Sequence, residues 1–180
     1  MRIIAGTARG RRLFTPKGLH TRPTADRVKE ALFSVIAARV PGARVLDAFA
    51  GSGALGLEAL SRGAAEAIFC ESDRQALLAL RRNIELCGFS KATVKQGDTL
   101  KLLPFLPGQF DLVFADPPYN CGLLPQTLDL LVKHNLLAPN ALLIAETGSK
   151  NSELEQLTNW QVIKTGFYGD TALYYCQIKI

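Results

Sequence analysis

The stretch Val45-Leu46-Asp47-Ala48-Phe49-Ala50-Gly51-Ser52-Gly53-Ala54-Leu55-Gly56 decides the fold of this chain. A short apolar strand enters it from Arg44, a glycine-rich turn follows, and a helix leaves it and ends near Gly63. Gly51 and Gly53 permit a tight turn and let a ligand come close to the backbone, and the start of the helix offers free N–H groups. The stretch therefore predicts a ligand-binding loop between a buried strand and a helix.

Strands and helices alternate on both sides of this loop. An amphipathic helix is predicted from near Thr24 to the Pro41-Gly42 pair, and another from about Arg74 to Cys87. Further strands are predicted over residues 68–71, 93–96, 110–115 and 141–146. Strands that alternate with helices in this way form a parallel sheet with helices on both faces.

The last segment departs from this alternation. Two strands, 161–168 and 172–180, are joined only by Gly169-Asp170-Thr171, so they must pair antiparallel. With 180 residues, 48% of them hydrophobic, the chain is long enough for one domain with a substantial core. We therefore expect an α/β fold with a seven-stranded, mostly parallel sheet that closes in an antiparallel hairpin.

A second motif, Asp116-Pro117-Pro118-Tyr119, ends the predicted fourth strand. Because a residue before proline avoids the helical region, Asp116 and Pro117 both stay extended, and two residues without N–H groups leave carbonyls free to accept hydrogen bonds. One carboxylate, one free carbonyl and one ring suit a planar exocyclic amine, with Tyr119 as the stacking surface for the base. The alternative is an Asp-capped turn in which Tyr119 is only partly buried.

Two more acids follow predicted strands. Glu71 ends the second strand, 20 residues beyond Gly51, where a carboxylate can accept both hydroxyl groups of a ribose. Asp98 follows the third strand and is placed to accept from an adenine amine. We expect the glycine turn of the first strand and the tip of the fourth strand to lie side by side, because the two motifs must act on one pair of reactants.

The glycine pattern leaves a rival function open. The sequence G-x-G-x-x-G over residues 51–56, with Glu71 downstream, also matches the fingerprint of a dinucleotide-binding enzyme. Against a nicotinamide-dependent oxidoreductase, Asp47 places a negative charge just before a turn that would have to hold a pyrophosphate, whereas a cofactor with a positive or zwitterionic head would favour that acid. Such an oxidoreductase would not need the proline-containing loop either.

The positive charge of the chain is concentrated in its first quarter. Of a net charge of +5, residues 1–44 hold ten Lys and Arg against two Asp and Glu, while residues 45–180 hold eleven against fourteen. Residues 1–22 contain no acid and suggest a short hairpin with glycines, or else a disordered tail. A basic segment on a slightly acidic body is typical of binding to nucleic acid, with a solvated charged face as the alternative. We therefore predict a basic hairpin over 1–22 that binds nucleic acid and a second domain over 23–180.

Neither a signal-peptide pattern nor a transmembrane run is visible, so we expect a cytoplasmic protein. The four cysteines form no CxxC pair, and the chain has only two histidines. We therefore expect no metal site.

These features together resemble the Rossmann-like class I methyltransferases that use S-adenosylmethionine, whose sheets close with an antiparallel hairpin strand. More narrowly, the chain resembles the bacterial 16S rRNA guanine-N2 methyltransferases of the RsmD type. The similarity extends over essentially the whole chain and is carried by segments 2–10, 21–33, 46–56, 116–119 and 168–171. The glycine loop alone is a weak signal, and the ordered set of segments is a strong one. Adenine-N6 methyltransferases of DNA or RNA resemble the chain only in the glycine loop and segment 116–119, and they remain an alternative.

The resemblance implies that a methyl group passes from S-adenosylmethionine to the exocyclic N2 of a guanine in 16S rRNA. The partner would be the small ribosomal subunit, partly or fully assembled, and the enzyme a monomer. The catalytic residues would be Asp116, Pro117 and Tyr119.

The resemblance makes residues 1–22 an RNA-binding hairpin and residues 23–180 an S-adenosylmethionine-dependent methyltransferase domain, and it also assigns binding residues. Those expected around the cofactor are Asp47, Phe49, Gly51, Gly53, Glu71, Ser72, Asp98 and Thr99. A segment that packs over the cofactor in the family matches Thr21, Arg22 and Thr24, for which helix capping is the alternative. Those expected to hold RNA are Arg2, Arg9, Arg11, Arg12, Lys17, Tyr168, Asp170 and Thr171.

Overall fold

The computed structural model describes residues 1–16, 23–118, 121–148 and 159–179 of the chain, with only the backbone of residues 23–25. The strands are β1 (Arg44–Asp47), β2 (Glu66–Glu71), β3 (Ala92–Gln96), β4 (Phe110–Ala115), β5 (Leu137–Gly148), β6 (Trp160–Tyr168) and β7 (Thr171–Ile178). The α-helices are α1 (Pro23–Val35), α2 (Ala54–Ser61), α3 (Arg74–Cys87), α4 (Thr99–Leu102) and α5 (Leu123–Lys133).

The seven strands form one sheet in the order β3-β2-β1-β4-β5-β7-β6. The pairs among β1 to β5 are parallel, while β7 pairs antiparallel with both β5 and β6. The predicted mostly parallel sheet with a C-terminal antiparallel hairpin is therefore confirmed. The order also reverses between β1 and β4, because β2 and β3 extend to one side and the later strands to the other.

Two hydrophobic clusters cover the faces of the sheet. One contains residues of α1, α2 and α3 together with Val45, Phe69 and Phe114, and the other contains residues of α5 together with Leu46 and Val113. Successive residues of a strand point to opposite faces, so the apolar runs predicted as buried strands supply both clusters. Each fully buried Leu or Phe stabilises the fold by roughly 1.5–3 kcal/mol.

The bounds of two elements, α1 and β5, differ most from the predicted ones. α1 ends at Val35 rather than at the Pro41-Gly42 pair, and a short 3-10 helix over Ala37–Arg39 follows it. β5 extends beyond the predicted 141–146 at both ends, because Leu137 pairs with Phe110 and Gly148 pairs with Thr171. These pairings come from distant segments, which local periodicity does not report.

The first 16 residues, here called the N-terminal arm, are ordered and docked on the body of the protein. One isolated bridge joins Arg2 to Arg12, and the N–H of Ile3 donates to the carbonyl of Arg11 over 3.0 Å. The predicted hairpin therefore forms over the described residues, without two regular strands. Ile3 and Leu13 are buried against the body, so the arm is not a disordered tail.

A buried carboxylate on α2 holds this arm. Glu58 is completely buried and accepts hydrogen bonds from the N–H groups of Ile4, over 2.8 Å, and Ala5, over 3.0 Å. It also forms ion pairs with Lys29 (3.1 Å) and Arg62 (2.8 Å). Burial lowers the pKa of Lys29, and the charge of Glu58 opposes that shift. Because removing one partner would leave an uncompensated buried charge, α1, α2 and the arm form one unit.

Candidate active site at the carboxyl ends of the strands

The site is built where the strand order reverses. β1 and β4 are neighbours, with Asp47 paired to Phe114, and the N–H of Ala48 donates to the carbonyl of Phe114 over 2.9 Å. In open α/β sheets the crevice for ligands lies at this switch point, beyond the carboxyl ends of the strands. The glycine turn after β1 and the Asp116 loop after β4 lie side by side there, as expected from the sequence.

Carboxylates from four adjacent strands face the same side of this crevice. Phe69, Phe114 and Ile144 belong to one hydrophobic cluster, and because the side-chain period is two, Glu71, Asp116 and Glu146 follow them on that face. Asp47 is in register with Phe69 and Phe114 and lies one step deeper. The crevice is therefore strongly acidic and suits a ligand with positive charge or several hydrogen-bond donors.

Asp47 is the most deeply buried of these acids. It is 3% exposed, and its Oδ2 accepts from the N–H of Gly56 over 3.0 Å. Burial raises its pKa to about 7, the Gly56 hydrogen bond opposes the shift, and the charge of Glu71 adds to it. Because burial disfavours the charged form of Asp47, a positive charge bound nearby would stabilise its carboxylate.

Glu71 joins β2 to the glycine turn. Its Oε2 accepts from the N–H of Gly51, and its Oε1 accepts from the N–H groups of Ser72 and Asp73, each over 2.7 Å. These three bonds fix the carboxylate at the rim of the crevice. Ser72 is exposed beside it.

Glycine is required for different reasons at Gly51 and Gly53 in the turn and at Gly56 in α2. Gly51 and Gly53 have φ angles of +54° and +82°, in the left-handed region that favours glycine. A Cβ at Gly56 would lie 2.3 Å from the ring of Phe69, so this glycine lets α2 approach β2. Phe49 is half-buried at the start of the turn. The turn is therefore shaped by its sequence for close approach of helix and strand.

Asp98 and Thr99 lie at the same edge of the sheet, after β3. Asp98 is exposed and caps α4 by accepting from the N–H of Leu100 over 2.9 Å. Thr99 is buried, and its hydroxyl donates to the carbonyl of Ala48 at the end of β1. Thr99 thus connects α4 to the first strand, while Asp98 is exposed to solvent.

Asp116 stands at the end of β4, with Pro117 buried behind it. Desolvation by the surrounding strand ends raises the pKa of Asp116 well above its usual range, and the charges of Glu146 and Asp47 add to the shift. The residue is nevertheless open to the crevice, so a ligand can reach its carboxylate. Glu146 was not singled out from the sequence, although an acid at the end of a buried strand, as at Glu71, was the signal that could have found it.

The residues predicted to hold RNA lie in two places. Arg9, Arg11 and Arg12 are exposed on the arm, while Arg2 pairs with Asp26 at 3.5 Å. The turn from Tyr168 to Thr171 lies at the carboxyl edge, because Thr171 pairs with both Gly148 and Tyr168. Four predicted site residues lie outside the described part of the chain: Lys17, Thr21, Arg22 and Tyr119. The side chain of Thr24 also lies outside it, and the roles assigned to all five stay predictions.

The described residues also bear on metal binding and on membrane insertion. They contain no cluster of three or more His, Cys, Asp and Glu side chains able to hold a metal ion. None of the described helices combines the length and the apolar character that crossing a bilayer requires.

The chain is similar to known proteins over almost its whole length. The model of the family described as conserved hypothetical protein 95 matches residues 1–177. Ribosomal RNA small subunit methyltransferase D of Haemophilus influenzae is 41% identical over 168 residues, covering 91% of this chain and 86% of the relative. The protein of the same name from Escherichia coli K12 is 40% identical, covering 96% of this chain and 87% of the relative.

The fold has a close match among solved structures as well. The structure of yhhF from Escherichia coli, named as a methyltransferase candidate, superimposes with a TM-score of 0.87 at 38% identity. The alignment covers 99% of this chain and 98% of that one. The match thus includes both the N-terminal arm and the C-terminal hairpin.

Proposed function

This chain belongs to the family described as conserved hypothetical protein 95, and from that premise we propose that it transfers a methyl group from S-adenosylmethionine to the exocyclic N2 of a guanine in 16S rRNA. The names of its relatives support ribosomal RNA methylation. The observation that carries the proposal is the juxtaposition of the glycine turn after β1 with the Asp116 loop after β4.

The acids of the crevice fit S-adenosylmethionine. This cofactor supplies an electrophilic methyl group on a positively charged sulfonium, and its methionine portion adds an ammonium group. Asp47, whose burial disfavours its charged form unless a positive charge is nearby, would pair with the ammonium group. Gly51 and Gly53, whose turn lets a ligand come close to the backbone, would surround the methionine portion. Glu71 and Asp98 would accept from the ribose hydroxyls and the adenine amine, since each stands after a neighbouring strand of the same edge.

The same contacts weigh against a nicotinamide dinucleotide. A pyrophosphate binds to free N–H groups in the glycine turn and at the start of the following helix. Here the N–H of Gly51 already donates to Glu71, and that of Gly56 donates to Asp47. Two carboxylates therefore occupy donors that a pyrophosphate would need, and they would repel its charge.

Asp116 and Pro117 would activate the target amine. The lone pair of guanine N2 is delocalised into the ring, so the amine is a poor nucleophile until its hydrogens are held by acceptors that favour pyramidal geometry. The Asp116 carboxylate and the Pro117 carbonyl would accept these two hydrogens, and Tyr119 would stack on the base. Orientation of this kind can lower a barrier by about 7–11 kcal/mol.

Asp116 would also take up the proton that N2 releases after methylation. Its raised pKa makes it a stronger base than an ordinary aspartate, and its charge would stabilise the positive charge that develops on N2. A base inside a helix could not reach the crevice, so the target guanine must be unpaired or flipped out.

The arm and the 168–171 turn would hold the RNA around the target. Arg9, Arg11 and Arg12 are exposed and free to contact phosphates, which supply most of the affinity of a basic surface for RNA. We propose the small ribosomal subunit, partly or fully assembled, as the substrate, which is what the resemblance to RsmD-type enzymes implies.

Mapping the methylated nucleotide tests this function. The protein is incubated with labelled S-adenosylmethionine and either naked 16S rRNA or small subunits that lack the modification, and the labelled nucleotide is identified by mass spectrometry. We expect a single N2-methylguanine, formed faster on the particle. Label on adenine N6 would favour the alternative methyltransferase class, and hydride-transfer absorbance without methylation would favour an oxidoreductase.

A further inference from the structure

Asn83 on α3 contacts both the N-terminal arm and the glycine turn. It is completely buried. Its Oδ1 accepts from the N–H of Phe14 over 2.7 Å, and its Nδ2 donates to the carbonyls of Phe14 and Ser52, each over 2.9 Å. Phe14 belongs to the arm, and Ser52 stands between the two glycines of the cofactor turn. One carboxamide therefore bridges the two surfaces assigned to RNA and to the cofactor.

We propose that Asn83 is a positioning residue that couples RNA binding by the arm to cofactor binding by the glycine turn. The proposal rests on the function proposed above, since it takes the arm as the RNA surface and the turn as the cofactor surface. Coupling of this kind is reciprocal: RNA would tighten cofactor binding by the same factor by which the cofactor tightens RNA binding.

The hydrogen-bond capacity of the amide explains why the two surfaces depend on each other. An Asn side chain offers two N–H donors and one carbonyl, and here both donors and the carbonyl are used. If Phe14 moved away, a donor and an acceptor would be left unsatisfied in the interior, where such groups are costly. The orientation of the amide that suits Phe14 is also the one that holds the Ser52 carbonyl, so a well-placed arm favours a well-placed turn.

A second contact keeps Phe14 in place from the solvent side. The guanidinium of Arg82 lies 3.4 Å from the centre of the Phe14 ring, and Phe14 itself is 38% exposed. RNA phosphates bound beside the arm would therefore act on a segment whose backbone is fixed by Asn83 beneath it and whose ring is covered by Arg82.

The chain offers a matched control on the other side of the arm. Ser61 is buried at the end of α2 that is distant from the glycine turn. Its hydroxyl accepts from the N–H of Ala8 over 3.0 Å and donates to the carbonyl of Ala5 over 2.6 Å. The substitution Ser61→Ala therefore loosens the arm without removing a contact to the turn.

The test measures the affinity for S-adenosylhomocysteine by calorimetry, with and without saturating small subunits that lack the modification. In the unmodified protein we expect the particle to tighten this affinity by about 5-fold or more, the lower range of allosteric couplings. Asn83→Ala and Asn83→Asp should reduce the factor to near one, whereas Ser61→Ala should weaken particle binding and keep the factor. Circular dichroism checks that each variant is folded.

The outcomes separate this proposal from the proposed function. A factor near one in the unmodified protein, or an unchanged factor in folded Asn83 variants, would overturn the coupling. If Asn83→Ala fails to fold, the isosteric Asn83→Asp, which keeps the acceptor for Phe14 and loses both donors, decides the question. Failure to methylate guanine N2 would contradict the proposed function alone, because the coupling is read from binding and not from turnover.

Discussion

Asp47, which we propose binds the cofactor, also affects the stability of the fold through its buried carboxyl group. The pKa of Asp47 is about 7 in the folded protein against an ordinary value of 3.8. Between about pH 4 and pH 7 the folded protein therefore keeps a proton that the unfolded chain has already released. Stability therefore falls as the pH rises through this window, by at most about 4 kcal/mol.

The substitution Asp47→Asn should remove this penalty, because an amide cannot ionise and still accepts from the Gly56 N–H. We expect the variant to be more stable than the unmodified protein by a few kcal/mol at pH 8 and equally stable near pH 4. Urea unfolding at both pH values measures the difference. The variant should also bind S-adenosylhomocysteine more weakly. Equal stability of the two proteins at pH 8 would show that burial does not raise the pKa of Asp47.

Glu146 should set the pH dependence of turnover through Asp116. Asp116 must be ionised to accept the amine hydrogens, and because its pKa is raised by desolvation, Glu146 and Asp47, activity should rise with pH through that raised pKa. Glu146→Gln removes one negative charge, lowers the pKa of Asp116 and should move the acidic limb of kcat/KM to lower pH. Asp129→Asn, an exposed acid on α5, is the control, and an unmoved limb in Glu146→Gln would contradict this role.

The positions of some individual residues of the crevice could be predicted from the sequence, and those of others could not. The positions of Glu71 and Asp116 could be predicted because each stands at the end of a recognisable strand. The structure places Asp116 at the switch point and Glu71 at the end of the neighbouring strand β2. Asn83 could not be predicted, since in a helical sequence nothing distinguishes it from a surface amide. Its partners Phe14 and Ser52 are 69 and 31 residues away, and only the fold brings them to it.

The docking of the N-terminal arm includes one very close backbone approach, at Gly6. A Cβ at Gly6 would lie 1.7 Å from the carbonyl oxygen of Ser61. Gly10 has nearly the same φ, +84° against +83°, but nothing within 4 Å of the added atom. The two glycines therefore separate the effect of backbone conformation from that of space.

Gly6→Ala should displace the arm, whereas Gly10→Ala should cost only about 1–2 kcal/mol, the conformational penalty for alanine in the left-handed region. Hydrogen exchange of residues 1–16 measures the docking, and we expect loss of protection in Gly6→Ala alone. Binding to small subunits should weaken in parallel. Equal protection in the two variants would mean that the arm tolerates a shift at Ser61.

The charge of the arm should govern the salt dependence of RNA binding. Replacing Arg9, Arg11 and Arg12 with Gln removes up to three phosphate contacts, and each contact accounts for a slope of about 0.7–0.9 in log K against log salt. We expect the slope to fall by about two to three units. The matched control replaces Arg39, Lys133 and Lys179, exposed side chains near the amino edge of the parallel strands, and it should leave the slope unchanged.

Elements with strong local signals were predicted best. α3 has the predicted bounds, because Asp73 caps its start and Gly88 its end. The docking of the arm was not predicted, since it depends on Glu58, a buried acid within the apolar face of α2, and on partners more than 50 residues away. The full length of β5 was not predicted either, because the residues at its two ends are extended only where they pair with β4 and β7.

The topology of the sheet brings the glycine turn and the Asp116 loop together. Residues 51–56 and 116–118 are distant in sequence and become neighbours because β1 pairs with β4 where the strand order reverses. The alternation of strands and helices and the three-residue connection near the C-terminus allowed the sheet to be predicted. The depth of Asp47 and the raised pKa of Asp116 could not be, because both arise from atoms that four separate strands contribute.

The claim that the glycine turn and the Asp116 loop form one active site is tested most directly by two measurements on Asp116→Ala. They are the affinity for S-adenosylhomocysteine and the single-turnover rate of methyl transfer to small subunits that lack the modification. We predict that the affinity stays within about twofold, while the rate falls by at least about 100-fold, the lower range for loss of a catalytic acid or base. Asp129→Ala should leave both values unchanged. Near-normal transfer by Asp116→Ala would contradict the assignment of the β4 loop to the target amine.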